Sequence, residues 1–364
     1  MKLYNHDILL STHEKYGGVH LYSGRALGLS SPGDKVQMHP DLEQDWAAIT
    51  QHYRQVGLTF TDDIIWDVSV EELTRHPSYD ICVYFFGDAV NRPSPYDAFF
   101  DDIDARWHRA VHHINSKNNF IQLAQAHQVP VPTTLCFSGP EAIADLAQLP
   151  YPCYVKPSVS DHGFGIARCE DETALKAALD QLEPQVAIQV QAEVKASTFL
   201  NLQYQVVEGQ AQRMLASEQV LEGCVHRGNR YPTQYEPWEV VDPLAHWLVN
   251  EGMRGVFAFD VAVVDTPDGP EYVAIECNPR FNGSSYPTCL AHRLDIRQWS
   301  SATCSPSPRP LAELDLTGLA FNPETGKGII LVNWGTIHAG KLSVLLAGTP
   351  TEQEELLAKL RQRC

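Results

Sequence analysis

The chain has 364 residues, 44% of them hydrophobic and 20% charged, and its 27 Lys and Arg against 45 Asp and Glu give a net charge of −18. That length allows two or three domains with a sizeable core. That much negative potential argues against a nucleic-acid groove or an anionic membrane surface as the main partner, though not against a small anionic ligand held by a few gathered cations.

The nine cysteines include no CxxC pair. Reduced thiols in a cytoplasmic chain therefore fit better than a disulfide scaffold or a zinc ribbon. The N-terminal "MKLYNHDILLSTHEKYG" has no apolar signal-peptide core, and no run reaches the length of a membrane span.

The first hundred residues alternate strand and helix signals, as in an open α/β domain with parallel strands. "KVQMH" (35–39) reads as a short strand. Leu42, Trp46, Ile49, Tyr53 and Val56 then fall at helical intervals, with Gly57 as the stop. "YDICVYFFG" (79–87) reads as a buried strand. Phe100, Ile103, Trp107, Val111 and Ile114 predict one helix over 98–114, and "SKNNFIQLAQAHQ" (116–128) a second that ends at "VPVP". Ser138-x-x-Glu141 has the form of a capping box. "YPCYVKP" (151–157), "GIARCE" (165–170) and "QVAIQVQ" (185–191) read as strands, with a helix over 171–182. In "DPLAHWLVNEG" (242–252), Asp caps a helix with Pro at its first position and Gly at its end. Residues 222–232 read as a loop and 292–310 as a surface connection. A hairpin, "GIILVNWGTI" to "LSVLLAG", and a helix opened by Thr351-x-x-Glu354 close the chain.

"GVFAFDVAVV" and "EYVAIECN" flank the turn "DTPDGP", a hairpin signal. Folding it about residue 268 sets Val264 against Tyr272, Ala262 against Ala274 and Asp260 against Glu276. Two unit charges at ~5 Å repel by roughly 3 kcal/mol at an effective dielectric near 20. The pair needs a cation between the two acids or a proton on one of them. Asn278, two residues beyond Glu276, adds an oxygen on the same face. Such a set suits Mg²⁺, which keeps waters and phosphates in the rest of its shell. A structural ion pair with Arg280 is the alternative.

"KPSVSDHGFGIA" (156–167) joins strand to strand. It is neither a Walker loop nor a dinucleotide fingerprint. It can still turn backbone N–H groups toward phosphate oxygens, with Lys156 beside them; a plain hairpin tip is the other reading. His226, Arg227 and Arg230 could clamp a substrate carboxylate or form a solvated basic turn. Ser284, Ser285 and Tyr286 could line a pocket or start a helix.

In order, Lys117, "YVKPSVSDHGFGI", "AIQVQAEV", "FAFDVAVV" and "AIECNPRFNGSSYP" resemble the ATP-grasp superfamily over roughly 115–292, the E-x-N-P-R string most specifically. "PGDKVQMHPDLEQDW" and "GKLSVLLAGTP" resemble its pheganomycin-type peptide ligase branch. The resemblance implies an α/β ATP-grasp fold, two α+β subdomains gripping ATP, preceded by an open α/β pre-ATP-grasp domain. The corresponding segments are 1–112, 113–195 (small subdomain with the glycine loop) and 196–364 (large subdomain with the Mg²⁺ site and the C-terminal hairpin).

By resemblance, Lys117 and Lys156 hold the α- and β-phosphates. The loop carrying Ser158, Ser160, His162, Gly163, Phe164 and Gly165 closes over the triphosphate. Gln191, Glu193 and Val194 form the adenine hinge, although the Gly and Glu usual after it are missing from "EVKASTF". Asp260, Glu276 and Asn278 ligate one or two Mg²⁺ ions, or Mn²⁺, and Arg280 steadies the transferred phosphate. The implied activity is ATP-dependent carboxylate–amine ligation through an acyl phosphate, releasing ADP and phosphate. Its partners are small-molecule carboxylates and amines, with no nucleic acid or membrane and, for assembly, a homodimer. A phosphotransferase and a non-catalytic nucleotide-binding module are the alternatives.

Overall fold

Four short strands open the chain: β1 (Lys2–Asn5), β2 (Lys35–Gln37), β3 (Ile64–Ile65) and β4 (Asp80–Val83), with α1 (Trp46–Gln55) between β2 and β3. They pair in parallel in the order β3-β2-β1-β4. Leu3, Val36, Ile49 and Tyr53, from the strands and the predicted helix face, are fully buried. The computed structural model describes residues 1–12, 17–88, 96–160, 165–223 and 225–364.

Helices α2 (Asp97–Asn115) and α3 (Lys117–Ala126) lead to β5 (Thr134–Phe137), β6 (Cys153–Pro157), β7 (Ala167–Cys169), α4 (Glu172–Leu179) and β8 (Ile188–Ala192). These strands form an antiparallel sheet, β5-β8-β6-β7. Alternation sorts its faces. Cys153, Val155, Ile188 and Val190 pack with Leu175 of α4. Lys156, Gln189 and Gln191 occupy the alternate positions.

The chain continues through β9 (Thr198–Val207), β10 (Gln210–Glu222), β11 (Val225–Tyr231), α5 (Trp238–Glu251), β12 (Val256–Thr266) and β13 (Gly269–Asn278). It ends with α6 (Ser285–Arg293), β14 (Trp299–Cys304), β15 (Gly328–Asn333), β16 (Leu342–Ala347) and α7 (Pro350–Arg363).

These elements form two compact units. The first holds Met1–Phe85, Arg227–Thr233 and Phe281–Cys364; the second holds Phe86–His226 and Gln234–Arg280. The expected boundaries at 112 and 195 both fall inside the second unit, and the segment 196–364 is shared between the two. In the second unit β13, β12, β9 and β10 are antiparallel neighbours. On their core face Tyr204 stacks on Phe257 with centroids 5.3 Å apart, meets Trp238 of α5 edge-on and donates its hydroxyl to Asp242 at 2.8 Å. In the first unit, β14 pairs with β16 and β16 with β15, all antiparallel.

Local expectations need correction at several points. Residues 225–231, expected in a loop, form β11, whose Arg230 and Tyr231 pair with Ser300 and Trp299. β14 lies within the expected surface connection. No regular helix follows Ser138; Pro140–Ala142 and Leu146–Gln148 are single 3-10 turns. Helix α5 starts at Trp238, so Pro243 lies inside it rather than at its first position. The capping box of α7 is Thr349 with Glu352, two residues earlier than expected. The helix expected over 98–114 breaks at Asp104 (φ −161°, ψ 89°). There the Asp104 carboxylate accepts the backbone N–H groups of Arg106 and Trp107 at 3.2 and 3.1 Å. A short acid in mid-helix competes for backbone donors and so starts a new helical segment.

Candidate active site

The β12–β13 hairpin departs from its expected register and then recovers it. Past the turn Thr266 faces Gly269, Val264 faces Glu271 and Ala262 faces Val273, one residue off the expected pairing. A β-bulge between Asp260 and Val261 takes up Ile275, so Asp260 still faces Glu276 and Ala258 faces Asn278. A single extra residue on one strand restores the two carboxylates to a common face.

Asn201 of β9 faces Asp260 from the other side and donates its amide to Oδ1 at 2.7 Å; Asn278 donates to Oδ2 at 3.1 Å. Burial, and then the neighbouring Glu276 charge, push the Asp260 carboxyl up to about 7. Burial would raise Glu276 as well, but Lys117, Lys156 and Arg280 outweigh it and hold that carboxylate below its ordinary range. This asymmetry is that of two acids sharing one position, where only one ionises without help.

The cations come from three places. Ser116 caps α3, and its hydroxyl lies 2.8 Å from that of Ser158. The Lys117 backbone N–H donates to the Ser158 carbonyl at 2.7 Å. These bonds bring the start of α3 to the end of β6. The Lys117 ammonium lies 3.4 Å from Glu276 Oε2 and 3.5 Å from the Ser160 carbonyl. Lys156, also buried, donates to Gln191 Oε1 at 2.7 Å, and Gln191 donates onward to Thr134 at 3.1 Å. Arg280 donates to Asn115 at 2.9 Å rather than closing an ion pair on the acids.

Of the expected loop residues, Ser158, Ser160 and Gly165 are described; His162, Gly163 and Phe164 lie outside the described residues. The Ser160 hydroxyl is buried with no hydrogen-bond partner. Gly165 has φ +72°, and a Cβ there would lie 2.8 Å from the Pro157 ring, so both backbone and space call for glycine. Glu193 and Val194 lie between β8 and β9. The Glu193 carboxylate takes two bonds from Arg168, at 2.5 and 2.7 Å, and lies below its ordinary range chiefly for that reason. Arg227 and Arg230 are exposed on β11, in the first unit. Ser284 and Ser285, also in that unit, both donate backbone N–H to Asn282 and open α6, the helix-start reading.

Sequence reasoning missed Asn201 and Gln189. Gln189, facing Lys156 across β6–β8, is fully buried with neither amide atom hydrogen-bonded. The signals were the polar alternations "LNLQYQ" and "IQVQ" in strands otherwise apolar.

No protein-family model and no curated relative matches this chain. Solved structures do. An N5-carboxyaminoimidazole ribonucleotide synthetase in complex with ADP is 13% identical, with TM-score 0.63 over 98% of this chain and 94% of its own. The Staphylococcus aureus N5-carboxyaminoimidazole synthetase complexed with ADP is 11% identical, with TM-score 0.61 over 99% and 96%. The Thermus thermophilus N5-carboxyaminoimidazole ribonucleotide synthetase is 16% identical, with TM-score 0.57 over 99% and 97%. This chain has the ATP-grasp fold. The expected fold class is therefore met. All the candidate metal and phosphate ligands that are described fall in the second unit: Lys156, Asp260, Glu276 and Asn278 on its strands, Lys117 at the start of α3, and Ser158, Ser160, Gly165 and Arg280 beyond strand ends.

Two facing, half-buried carboxylates, the Asn278 carboxamide beside them and the Asn201 Oδ1, buried without a hydrogen-bond partner, fit a hard divalent cation that prefers oxygen ligands.

Proposed function

We propose that this chain is an ATP-dependent carboxylate–amine ligase that releases ADP and phosphate. The observation that carries the reading is the meeting of Asp260 and Glu276 across β12 and β13, with Lys117 against Glu276. The fold shared with synthetases solved in complex with ADP or ATP supports placing ATP there. In this reading Asp260, Glu276 and Asn278 hold Mg²⁺, which supplies charge neutralisation at phosphate oxygens.

Lys117 and Lys156 bind the phosphates, and Ser158, Ser160 and Gly165 belong to the loop over them. Residues 191–194 take the adenine, with the Arg168–Glu193 pair fixing that turn. Arg280 orients the group in transfer. A substrate carboxylate oxygen attacks the γ-phosphorus, and the bond to the β–γ bridging oxygen breaks with ADP as leaving group. The amine nitrogen then bonds to the acyl carbon, phosphate departs, and the nitrogen gives up a proton. We propose an amide or peptide product from small amino-acid-like substrates, made in the cytoplasm. The segments 1–112, 113–195 and 196–364 stand as the proposed functional parts.

The test is ADP release from paired acids and amines, with mass detection of products. Release that needs both partners and yields their condensation product is expected. A phosphate ester on an alcohol acceptor, or ATP binding without ADP across the whole panel, would overturn the reading.

A further inference from the structure

The first unit buries a guanidinium whose donors go unused. Arg25, on the 3-10 segment Val19–Leu29, is 8% exposed. Its Cζ lies 5.0, 4.5 and 4.3 Å from the ring centroids of Tyr22, Tyr84 and Tyr286. Two rings are tied in place: the Tyr286 hydroxyl to His6 Nδ1 at 2.8 Å and the Tyr22 hydroxyl to the Lys341 ammonium at 2.9 Å. Aromatic faces attract the cation, but its N–H bonds lie in the guanidinium plane and need acceptor atoms there. Arg25 Nε and Nη2 are buried with no hydrogen-bond partner. These two form the side-on edge of the fork, the edge that matches a carboxylate with two parallel bonds. Leaving both unmade in a buried site is costly.

The topology points to the same place. In the order β3-β2-β1-β4 the chain builds outward from β1 on one side and then adds β4 on the other. The switch point of this parallel sheet is therefore between β1 and β4. Open α/β sheets bind ligands beyond the carboxyl ends of the strands at such a point. His6 and Asp7 follow β1 directly, and Tyr84 follows β4. Asp7 Oδ1 accepts the Leu9 N–H at 2.8 Å, whereas Oδ2 is buried with no hydrogen-bond partner. Arg25 and Asp7 feel each other's charge, yet Arg25 Nε and Nη2 and Asp7 Oδ2 make no hydrogen bond to each other. Two groups of opposite charge, each with buried polar atoms that lack a hydrogen-bond partner, thus lie within electrostatic reach of each other, Asp7 directly after β1.

We propose that the carboxyl-end side of the sheet at the β1–β4 switch point binds a free α-amino acid, its carboxylate on the Nε–Nη2 edge of Arg25 and its ammonium on Asp7 Oδ2. A phosphate dianion fits less well, because Asp7 would repel it and His6 adds no second charge. Burial first, and then the Arg25 charge, hold that imidazole neutral. The proposal goes beyond the ligase reading and does not depend on it, because binding is measured without turnover.

Calorimetry on the full chain without ATP, against each of the twenty proteinogenic amino acids, tests it. At least one should bind saturably, and its amide and its N-acetyl derivative at least 10-fold more weakly. Arg25→Gln should weaken binding 10-fold or more, with Arg25→Lys recovering only part, since an ammonium lacks the fork. Asp7→Asn, nearly isosteric, should weaken the amino acid several-fold and leave the N-acetyl derivative unchanged. The thermal midpoint of each variant reports its folding. Binding by none of the twenty would overturn the proposal. So would acetate or inorganic phosphate binding as tightly as the best amino acid, or unchanged affinity in the folded Arg25→Gln or Asp7→Asn variant.

Discussion

Glu276 and Asp260 do different work although both are carboxylates on one face. Three cations hold Glu276 below its ordinary range, whereas burial first, and then the Glu276 charge, push Asp260 up to about 7. Glu276→Gln removes the ionised member and should cut ligation by about 100-fold or more. Mg²⁺-dependent ATP binding should weaken while the far-ultraviolet circular dichroism stays unchanged; normal turnover would refute the metal assignment. His52 gives a separate reading of acid sensitivity. It accepts the Leu331 N–H at 3.1 Å, and burial depresses its pKa to about 4. The unfolded chain therefore binds more protons than the folded one between about pH 6.5 and 4, and stability falls on acidification through that window. The loss should approach roughly 3 kcal/mol at its lower end. Urea titrations of wild type and His52→Gln across that range should show the glutamine variant flatter; parallel curves would rule His52 out. Of the site residues, the acids were legible because two strands and a turn fix their meeting. Asn201 was not, because it depends on β9 lying beside β12, a pairing no local pattern encodes.

At the level of elements, periodicity located strands and helices, and short polar side chains decided their ends. The capping box of α7 shows the scale of such effects. Thr349 and Glu352 satisfy each other's backbone donors. Thr349→Ala should cost about 1 kcal/mol in chemical denaturation, and an unchanged midpoint would show that α7 is held by packing alone. The break at Asp104 and the early start of α5 escaped sequence reading for a related reason. The hydrophobic stripe runs through both, and only a capping side chain or a tolerated proline distinguishes an interior from an end. In the β12–β13 hairpin the inferred turn was wrong by one residue in its outer half, and the pairing that matters held because of the bulge. Replacing Pro267-Asp268 with Asn-Gly, a turn that suits two-residue hairpins, should leave ATP affinity within 2-fold of wild type. A 10-fold loss would show that the turn, not the bulge, positions Glu276.

For the whole molecule, the order of motifs made the fold class legible, whereas the division into units was not. Contacts between residues hundreds of positions apart decide which segments cluster, and sequence windows do not carry them. Hydrogen exchange with Mg²⁺–ATP should slow near 115–119, 154–160, 189–194, 258–262 and 274–280, all in the second unit; protection confined to the first would overturn the nucleotide assignment. The route of the backbone also governs how the protein can be divided. Because the first unit gathers three stretches of chain, no single cleavage separates the two bodies. A stop after Arg280 would strip β14, β15 and β16 away while leaving the parallel sheet behind. Isolating the second unit therefore calls for trimming the chain before Phe86 and after Arg280 and, in addition, excising the visit of residues 227–233 and splicing across it.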